Sequence, residues 1–404
     1  MSNLAAFRSV ADIDCTGRTV FFRADLNLPM QEGRITDLTR LERTAPGIAD
    51  LIKGGARVVV ASHLGRPKGQ PDPAMSLAPV AAALAELLGR DVGFVPDCIG
   101  AQAEAAVAAM QDGDVLMLEN LRFHAGEEAG DADFAAALAR LADVYVNDAF
   151  SVSHRSHASM VGLARLLPAC AGPLMAAELA ALTAALENPQ RPVAAVVGGA
   201  KVSTKLAVLN NLVRRVDSLI VGGGMANTFL LARGVAIGAS LAEADMQEEA
   251  RAIMAAADAA GCRLVLPDDV VLAREFAAGA ESRTITLGAD DIAADEMILD
   301  TGPATVARAK AAVDAARTLV WNGPMGAFEI PPFDAATVSL ARHVAERTAA
   351  AGLVSVAGGG DTVAALNTAG VEDGFHYVST AGGAFLEWME GRELPGVAIL
   401  REVG

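Results

Sequence analysis

Aromatic residues are scarce in this chain. Phe, Tyr and Trp make up 4% of its 404 residues, whereas hydrophobic residues as a whole make up 52%. A core must therefore be assembled mostly from Ala, Val, Leu and Ile. Cysteine is scarcer still. Cys15, Cys98, Cys170 and Cys262 lie far apart, a spacing that offers neither a CxxC pair nor a metal knuckle and suits a reducing, cytoplasmic setting. Positive charge is in deficit: Lys+Arg 32 against Asp+Glu 49 leaves a formal net charge of −17. That balance argues against a non-specific nucleic-acid surface and against anionic membranes. No apolar run reaches the roughly 18–20 residues that span a bilayer. The opening MSNLAAFRSVADID has no basic segment followed by an apolar core, so it does not read as a secretory leader.

What the chain does have is glycine, 39 in all, and an alternation of short β-like and helical stretches. Its length predicts two domains of roughly 200 residues each. In the first half, apolar runs at Thr19–Phe22, Ala56–Ala61, Val92–Val95, Val115–Leu118 and Val144–Val146 alternate with helical patterns at Asp37–Asp50, Leu77–Leu88, Ala101–Met110 and Phe134–Leu141. This predicts an α/β fold with a parallel sheet. A polar cluster containing an arginine follows four of these strands, at Arg23, Arg66, Arg122 and Arg155. Ligands of open α/β sheets bind beyond the carboxyl ends of the strands. These arginines could therefore converge on a small, multiply charged anion bearing phosphate or carboxylate groups. Solvated loop arginines are the alternative. His63, His124, His154 and His157 lack a metal-binding spacing, so a structural or anion-binding role is expected of them.

Near the midpoint, Gly172-Pro173 precedes a helical pattern over Leu174–Glu187 that Asn188-Pro189 stops. At 1.5 Å per residue it is roughly 21 Å long, enough for a spacer between lobes or an ordinary connecting helix. The second half repeats the alternation with strands at Pro192–Val197, Ser218–Val221, Leu264–Leu266, Thr318–Trp321 and Tyr377–Thr380, and an edge strand at Thr284–Leu287. Pro192–Val197 enters Gly198–Lys205, where Lys201 and Lys205 fall four apart and share one helix face. This is not a Walker A pattern. Salt-bridging surface lysines are the alternative to a phosphate-neutralising pair. The stretch Leu353–Ala365, LVSVAGGGDTVAA, runs from a strand through Gly358, Gly359 and Gly360 into a helix start with Asp361 and Thr362. Glycine turn and helix start together form a phosphate cradle. Asp361 fits there as an oxygen ligand for a phosphate-bound Mg²⁺, or as a plain N-cap.

Taken in order, these stretches resemble the phosphoglycerate kinase family over almost the whole chain. The motifs are RADLNLP at Arg23–Pro29, SHLGRP at Ser62–Pro67, LENLRFH at Leu118–His124, VNDAF with HRSHAS at Val146–Ser159, and GPLM at Gly172–Met175. They continue with GGAKVSTK at Gly198–Lys205, GGGMANTFL at Gly222–Leu230, WNGPMGAFE at Trp321–Glu329, GGGDT at Gly358–Thr362, STAGGA at Ser379–Ala384 and ELPGV at Glu393–Val397.

The resemblance implies two doubly wound, Rossmann-like parallel-sheet lobes facing a central cleft and joined by a long helix. It divides the chain into an acid-substrate lobe at 1–171, an interdomain helix at 172–189, an Mg–nucleotide lobe at 190–386 and a tail at 387–404 that returns to the first lobe. It further implies a cytoplasmic monomer that moves a phosphoryl group between 1,3-bisphosphoglycerate and ADP, giving 3-phosphoglycerate and ATP. By motif, Asp25, Asn27, Arg40, His63, Arg66, Arg122 and Arg155 match residues that bind the acid substrate. Gly199, Lys201, Lys205, Asn322, Glu329, Gly358, Gly359, Gly360, Asp361 and Thr362 match those around the nucleotide, with Asp361 the residue linked to Mg²⁺. Arg40, Lys201, Gly382 and Gly383 match groups near the transferred phosphoryl.

Two departures from the family pattern are visible. Ala381 stands where the family has a glycine, and Ser151-Val152-Ser153 replaces its Gly-Thr-Ala. A nicotinamide-dependent dehydrogenase and a non-catalytic two-lobed anion-binding protein are the rival readings. The first lacks a full dinucleotide fingerprint, and the second leaves Lys201, Lys205 and Asp361 without a purpose.

Overall fold

The computed structural model describes residues 7–350 and 352–402. Residues 1–6, part of the segment read above as non-secretory, lie outside it, as do 351 and the last two positions of the tail. The chain divides into two compact units. One runs to Leu179 and takes in the segment from Glu393; the other is Ala180–Arg392.

The first unit is built on β1 (Thr19–Ala24). A two-residue-stranded hairpin follows, β2 (Met30–Gln31) with β3 (Arg34–Ile35), and then β4 (Arg57–Ala61), β5 (Gly93–Val95), β6 (Val115–Leu118), β7 (Val144–Asp148) and β8 (Ala169–Ala171). Six of these strands form one sheet in the order β5-β6-β4-β1-β7-β8, and every pairing in it is parallel. All six residues of β1 are buried, as expected of a central strand covered on both faces. On one face Val20, Phe22 and Ala24 pack with Val58, Val60 and Met117 against Leu41, Ile48 and Leu51 of the helix Thr39–Lys53 and Val80 and Leu84 of the helix Ala78–Leu88. The tail helix Pro395–Glu402 also belongs to this unit. Gly396 N–H donates to Ser153 O at 2.8 Å, and Asn147 Nδ2 donates to Gly396 O at 3.3 Å.

The predicted helix over Leu174–Glu187 is α-helical from Pro173 to Leu182 and continues as a π-type turn over Thr183–Glu187. The division between the units falls within it.

The second unit carries β9 (Val193–Val197), β10 (Ser218–Val221), β11 (Arg263–Val265), β12 (Asp269–Ala273), β13 (Ser282–Thr286), β14 (Met297–Thr301), β15 (Thr318–Asn322), β16 (Val354–Gly358) and β17 (Tyr377–Ser379). Its main sheet is parallel with the order β11-β10-β9-β15-β16-β17. A separate antiparallel sheet has the order β13-β12-β14. The sequence predicts only its edge strand, β13. β13 lacks a continuous apolar run and four of its five residues are exposed, whereas β12 and β14 carry only short apolar runs at 270–273 and 297–299, each next to an aspartate.

In both parallel sheets the strand order reverses direction once, and the crevice at such a reversal is where doubly wound folds bind ligands. In the first unit the reversal lies between β1 and β7, in the second between β9 and β15. The loops leaving these four strands carry Asp25, Asn27, Arg155, Gly199, Lys201, Lys205 and Glu329, and most of the other residues picked out from the sequence follow β4, β6, β16 and β17.

Candidate active site

In the first unit, Asp25 follows β1 and Ser151 follows β7, and they meet at the reversal: the Ser151 hydroxyl donates to Asp25 Oδ2. Arg40, in the first turn of Thr39–Lys53, donates through Nη1 to the same oxygen at 2.7 Å and to Asn27 O at 3.4 Å. Asn27 Oδ1 accepts from the N–H of Gly65 at 2.9 Å, tying the β1 loop to the β4 loop. Arg122 extends this partial ring by donating to Gly65 O at 2.8 Å, with Nε 3.2 Å from Glu128. Burial pushes the Asp25 carboxyl up, but the Arg40 guanidinium, the Ser151 hydroxyl and the Asn27 N–H outweigh it. The group therefore sits below the usual carboxylate range.

The basic side chains gather around this ring. Burial, then Glu128, Arg23 and Arg66, act on the Arg122 guanidinium, and the net effect lowers its pKa. His157 is pushed down to about 4 by burial and by the charges of Arg122, Arg23 and Arg155. Arg66 and Arg155 are exposed, while Arg40 is partly buried. Arg23 departs from the expectation. It is the fifth residue of β1 and fully buried. Its Nε donates to Ser159 Oγ at 2.9 Å, Nη1 donates to Ala24 O, and Nη2 lies 3.3 Å from His63 Nδ1. Ser159 in turn donates through Oγ and N–H to the buried Glu127. Arg23 is thus committed to an internal ion network beneath the loop surface. Burial, followed by the charge of Arg23, holds His63 well below its ordinary value and therefore neutral.

His124 is also committed inside the fold. Its Nε2 is 2.7 Å from Asp97 Oδ1, an oxygen that also accepts from Cys98 N–H at 2.7 Å. Asp97, Cys98 and His124 offer ligand-type atoms within 4.8 Å of one another. A carboxylate–imidazole separation at hydrogen-bond length is that of a clamp joining two loops, shorter than the spacing of two ligands on one ion.

The second unit builds its crevice from main chain. Gly198 follows β9 and accepts the ammonium of Lys205 on its carbonyl at 2.6 Å, and Asn322 O, at the end of β15, accepts it at 3.1 Å. The two loops touch so closely that a Cβ on Gly198 would run into the carbonyl of Pro324, and one on Gly323 into the carbonyl of Gly198. Only glycine fits at either place. Next to them, β16 ends in Gly358, whose missing side chain makes room for the Phe385 ring. Gly359 is the N-cap of the helix Gly360–Ala369, with φ +99°. Asp361 is therefore an exposed residue of the first helical turn, not the cap. Thr362 is buried. Its hydroxyl accepts from Gly323 N–H at 2.7 Å and donates to Gly358 O at 2.8 Å. Asn322 Nδ2 donates to Gly358 O at 2.6 Å, and its buried Oδ1 has no partner within the protein.

Beside these turns lies a cavity of about 420 Å³ whose lining includes Leu241, Phe276, Met297 and Leu299 together with Glu329 and Asp361. An apolar slot next to backbone-lined, lysine-bearing turns can take a flat heterocycle with a phosphate chain. Asp361 lines this cavity as an exposed carboxylate. It fits Mg²⁺, which takes one or two protein carboxylates and fills its other positions with water and phosphate oxygens. Lys201 is exposed, and Gly382 and Gly383 open the helix Gly382–Met389 behind the buried cap residue Ala381.

The phosphoglycerate kinase family model matches residues 10–392. The chain belongs to the phosphoglycerate kinase family. A phosphoglycerate kinase of Rhizorhabdus wittichii is 61% identical over 396 residues, covering 98% of this chain and 99% of that protein. One of Cereibacter sphaeroides is 60% identical over 395 residues, with 98% and 99% covered. Among solved structures, phosphoglycerate kinase from Coxiella burnetii superimposes with a TM-score of 0.92 at 43% identity, covering 98% of this chain and 99% of that one. The enzyme from Pyrococcus horikoshii gives 0.78 at 32% identity with the same coverage. Family membership makes the chain a kinase with two parallel α/β sheets, and neither the dehydrogenase nor the non-catalytic alternative finds support.

Some site-building residues went unrecognised from the family motifs. Ser62 Oγ accepts from Leu26 N–H at 2.8 Å. Asn120 donates to Leu64 O at 2.7 Å and Met75 O at 2.9 Å, while its Oδ1 accepts from Arg122 N–H at 3.0 Å. Both sit inside motifs quoted above, so position in a motif was the available signal. Which loop each would tie down was not.

Proposed function

We propose that the chain catalyses reversible phosphoryl transfer from 1,3-bisphosphoglycerate to ADP, giving 3-phosphoglycerate and ATP. The observation that carries this reading is the pairing, in one chain of this family, of a guanidinium-lined crevice with a glycine-and-lysine crevice beside an apolar cavity. In this reading Asp25, Asn27, Arg40, His63, Arg66, Arg122 and Arg155 bind the acid substrate. The residues around Lys205, Asn322, Glu329 and Gly358–Thr362, with Gly199, bind the nucleotide. Lys201, Arg40 and the amides of Gly382 and Gly383 meet the transferred group, and Asp361 holds Mg²⁺. The ion, when bound, neutralises nucleotide phosphate oxygens.

No general base is needed. In the ATP-consuming direction the nucleophile is a carboxylate, ionised at pH 7 with a pKa of about 4. Its oxygen bonds to the γ-phosphorus as the bond to ADP breaks. The protein's task is to hold polyanions together and stabilise charge on the transferring group. Water must be kept from the acyl phosphate, which domain closure about the interdomain helix would supply. We take the working form to be a cytoplasmic monomer, with residues 1–171 and 190–386 as the acid and nucleotide lobes. Among the described residues no helix is long and apolar enough to cross a membrane.

A coupled assay that follows ATP formation from 1,3-bisphosphoglycerate and ADP tests this. Magnesium-dependent ATP formation is the expected result. Absence of transfer with correctly folded protein would overturn it.

A further inference from the structure

Ser151-Val152-Ser153 follows β7 in this chain, and the first of these serines lies against the acid-substrate residues. We infer that Ser151 is a positioning residue for Asp25, fixing which carboxylate oxygen is left to receive the substrate. This rests on the proposed function.

Two donors meet on one atom. The Ser151 hydroxyl and Arg40 Nη1, the latter at 2.7 Å, both donate to Asp25 Oδ2. Oδ1 keeps only a long contact to Asn27 N–H at 3.3 Å. A carboxylate has room for about four donors, so Oδ1 is the oxygen with capacity to spare. A substrate that presents a hydroxyl beside its carboxylate and phosphate groups would donate it there. Ser151 leaves β7 and Asp25 leaves β1, so this hydrogen bond spans the crevice at the strand-order reversal. A glycine at position 151 offers no side-chain donor, and Oδ2 would then be held by Arg40 alone, leaving only the long Asn27 N–H contact on Oδ1 to resist rotation about χ2. Arg40 is held by the same oxygen, so the serine also steadies the guanidinium indirectly.

The loop carrying Ser151 is itself anchored. Ser153 O accepts from Gly396 N–H at 2.8 Å, and Ser153 Oγ donates to Ala149 O at 3.3 Å. A Cβ on Gly396 would stand 2.9 Å from Ser153 Cα, so the tail seats directly on the loop. Ser151 is only partly buried, and truncating it leaves no large void.

The test is steady-state kinetics of Ser151→Ala, Ser151→Gly and Ser151→Thr against wild type, with each substrate varied while the other saturates. Losing one charge-assisted orienting bond should raise KM for 3-phosphoglycerate about five-fold in the Ala and Gly variants. KM for ATP and kcat should stay within about two-fold, as expected when an interaction shared by ground and transition state is removed. Ser151→Thr keeps the hydroxyl and should restore the wild-type KM. The acid limb of kcat/KM for 3-phosphoglycerate should move to higher pH in Ser151→Ala, because Asp25 loses a donor that favours its ionised form. Unchanged KM for 3-phosphoglycerate, an equal rise in KM for ATP, a fall in kcat alone, or a Thr variant no better than Ala each overturns the assignment. Inactive wild-type protein in the same assay would instead overturn the proposed function, so the two failures are distinguishable.

Discussion

The two strand-order reversals are the same piece of topology lined in two chemistries. In the first unit the crevice is made of side chains: Asp25, Arg40, Ser151 and Arg122 tie the β1 loop to the β7 loop and the β6 loop to the β4 loop through carboxylate, hydroxyl and guanidinium groups. In the second it is made of main chain, where loops close enough to exclude any Cβ present carbonyls to one lysine. On the proposed function, the difference follows from the ligands. A small acid offers little except charge and hydroxyl groups, so it must be read by rigid, planar donors. A nucleotide brings a large flat surface and a flexible phosphate chain, so an apolar slot and closely approaching amides suffice. The first site can thus be damaged one side chain at a time. The second depends on backbone packing, with Asp361 as an exposed carboxylate exception at the glycine turn, beside the exposed Lys201 and Glu329.

That exception gives the largest expected effect. Asp361→Asn should leave the fold intact, since the side chain is exposed and Gly359 supplies the cap. Turnover should fall by about 10³, the upper range for removing one electrostatic contributor to a transition state. Activity measured across a magnesium titration checks this, and wild-type kinetics at every magnesium level would remove Asp361 from the metal site. Next in size is Arg122→Ala. Calorimetry should show 3-phosphoglycerate binding weakened by about 1.5–3 kcal/mol, the range for a hydrogen bond to a charged group, with ADP binding unaltered. An equal loss for both ligands would break the division of labour between the units.

The units also share a device, and the third prediction compares the two versions. Asp148, at the end of β7, accepts from the amides of Leu174 and Met175 at 2.7 and 3.0 Å. Asp300, in β14, accepts from the amides of Thr301 and Ala336 at 2.8 and 2.9 Å. Burial raises each carboxyl to about 7, although the amide hydrogen bonds pull downward. The folded pKa exceeds the unfolded one, so the native state binds more protons between about pH 4 and 7. Stability is therefore lost as pH rises from about 4 to 7 and levels off above the folded pKa. From pH 5 to pH 8 the loss should be on the order of 2 kcal/mol for each group. Denaturation at both pH values should show the loss in wild type, and a smaller one in Asp148→Asn and in Asp300→Asn. An Asn carbonyl can still accept these amide hydrogens. A pH-independent wild type would show that both carboxylates stay ionised in the fold.

Much of the first sheet was legible in the sequence because its strands are central and buried. A run such as TVFFRA needs no partner to be recognised. The antiparallel β12–β14 sheet was mostly illegible, since a half-exposed strand such as SRTIT blends into loop composition. At the site, the family resemblance picked out Asp25, Arg40, Lys205 and Asp361 but did not distinguish reach from burial. Arg23 and Arg122 both stand near strand ends in the sequence. The first turns inward to Ser159 and the second to the Gly65 loop, because burial depends on what the neighbouring strands supply. Thr362 was expected as a ligand contact, yet its hydroxyl is occupied between Gly323 and Gly358. Only three-dimensional pairing reveals such commitments.

The smallest effect bears most directly on arginine against lysine as the cation of choice. Lys205 sits between the carbonyls of Gly198 and Asn322. Burial pushes its pKa down to about 8, against the opposing influence of Asp361. In the empty enzyme the ammonium is therefore mostly charged at pH 7 and mostly neutral at pH 9. The arginines of the first unit remain charged across that range. Because kcat/KM reports ionisations of the free enzyme, kcat/KM for ADP should fall above about pH 8, approaching tenfold per pH unit. With nucleotide saturating, its phosphates hold Lys205 in the charged form, and kcat/KM for the acid substrate should stay flat through the same interval. The measurement is a pair of pH profiles from 6.5 to 9.5, each substrate varied in turn. A limb near 8 on the acid side alone would transfer Lys205 to the other half of the reaction. No limb on either side would mean that the two carbonyls hold the ammonium charged despite its burial.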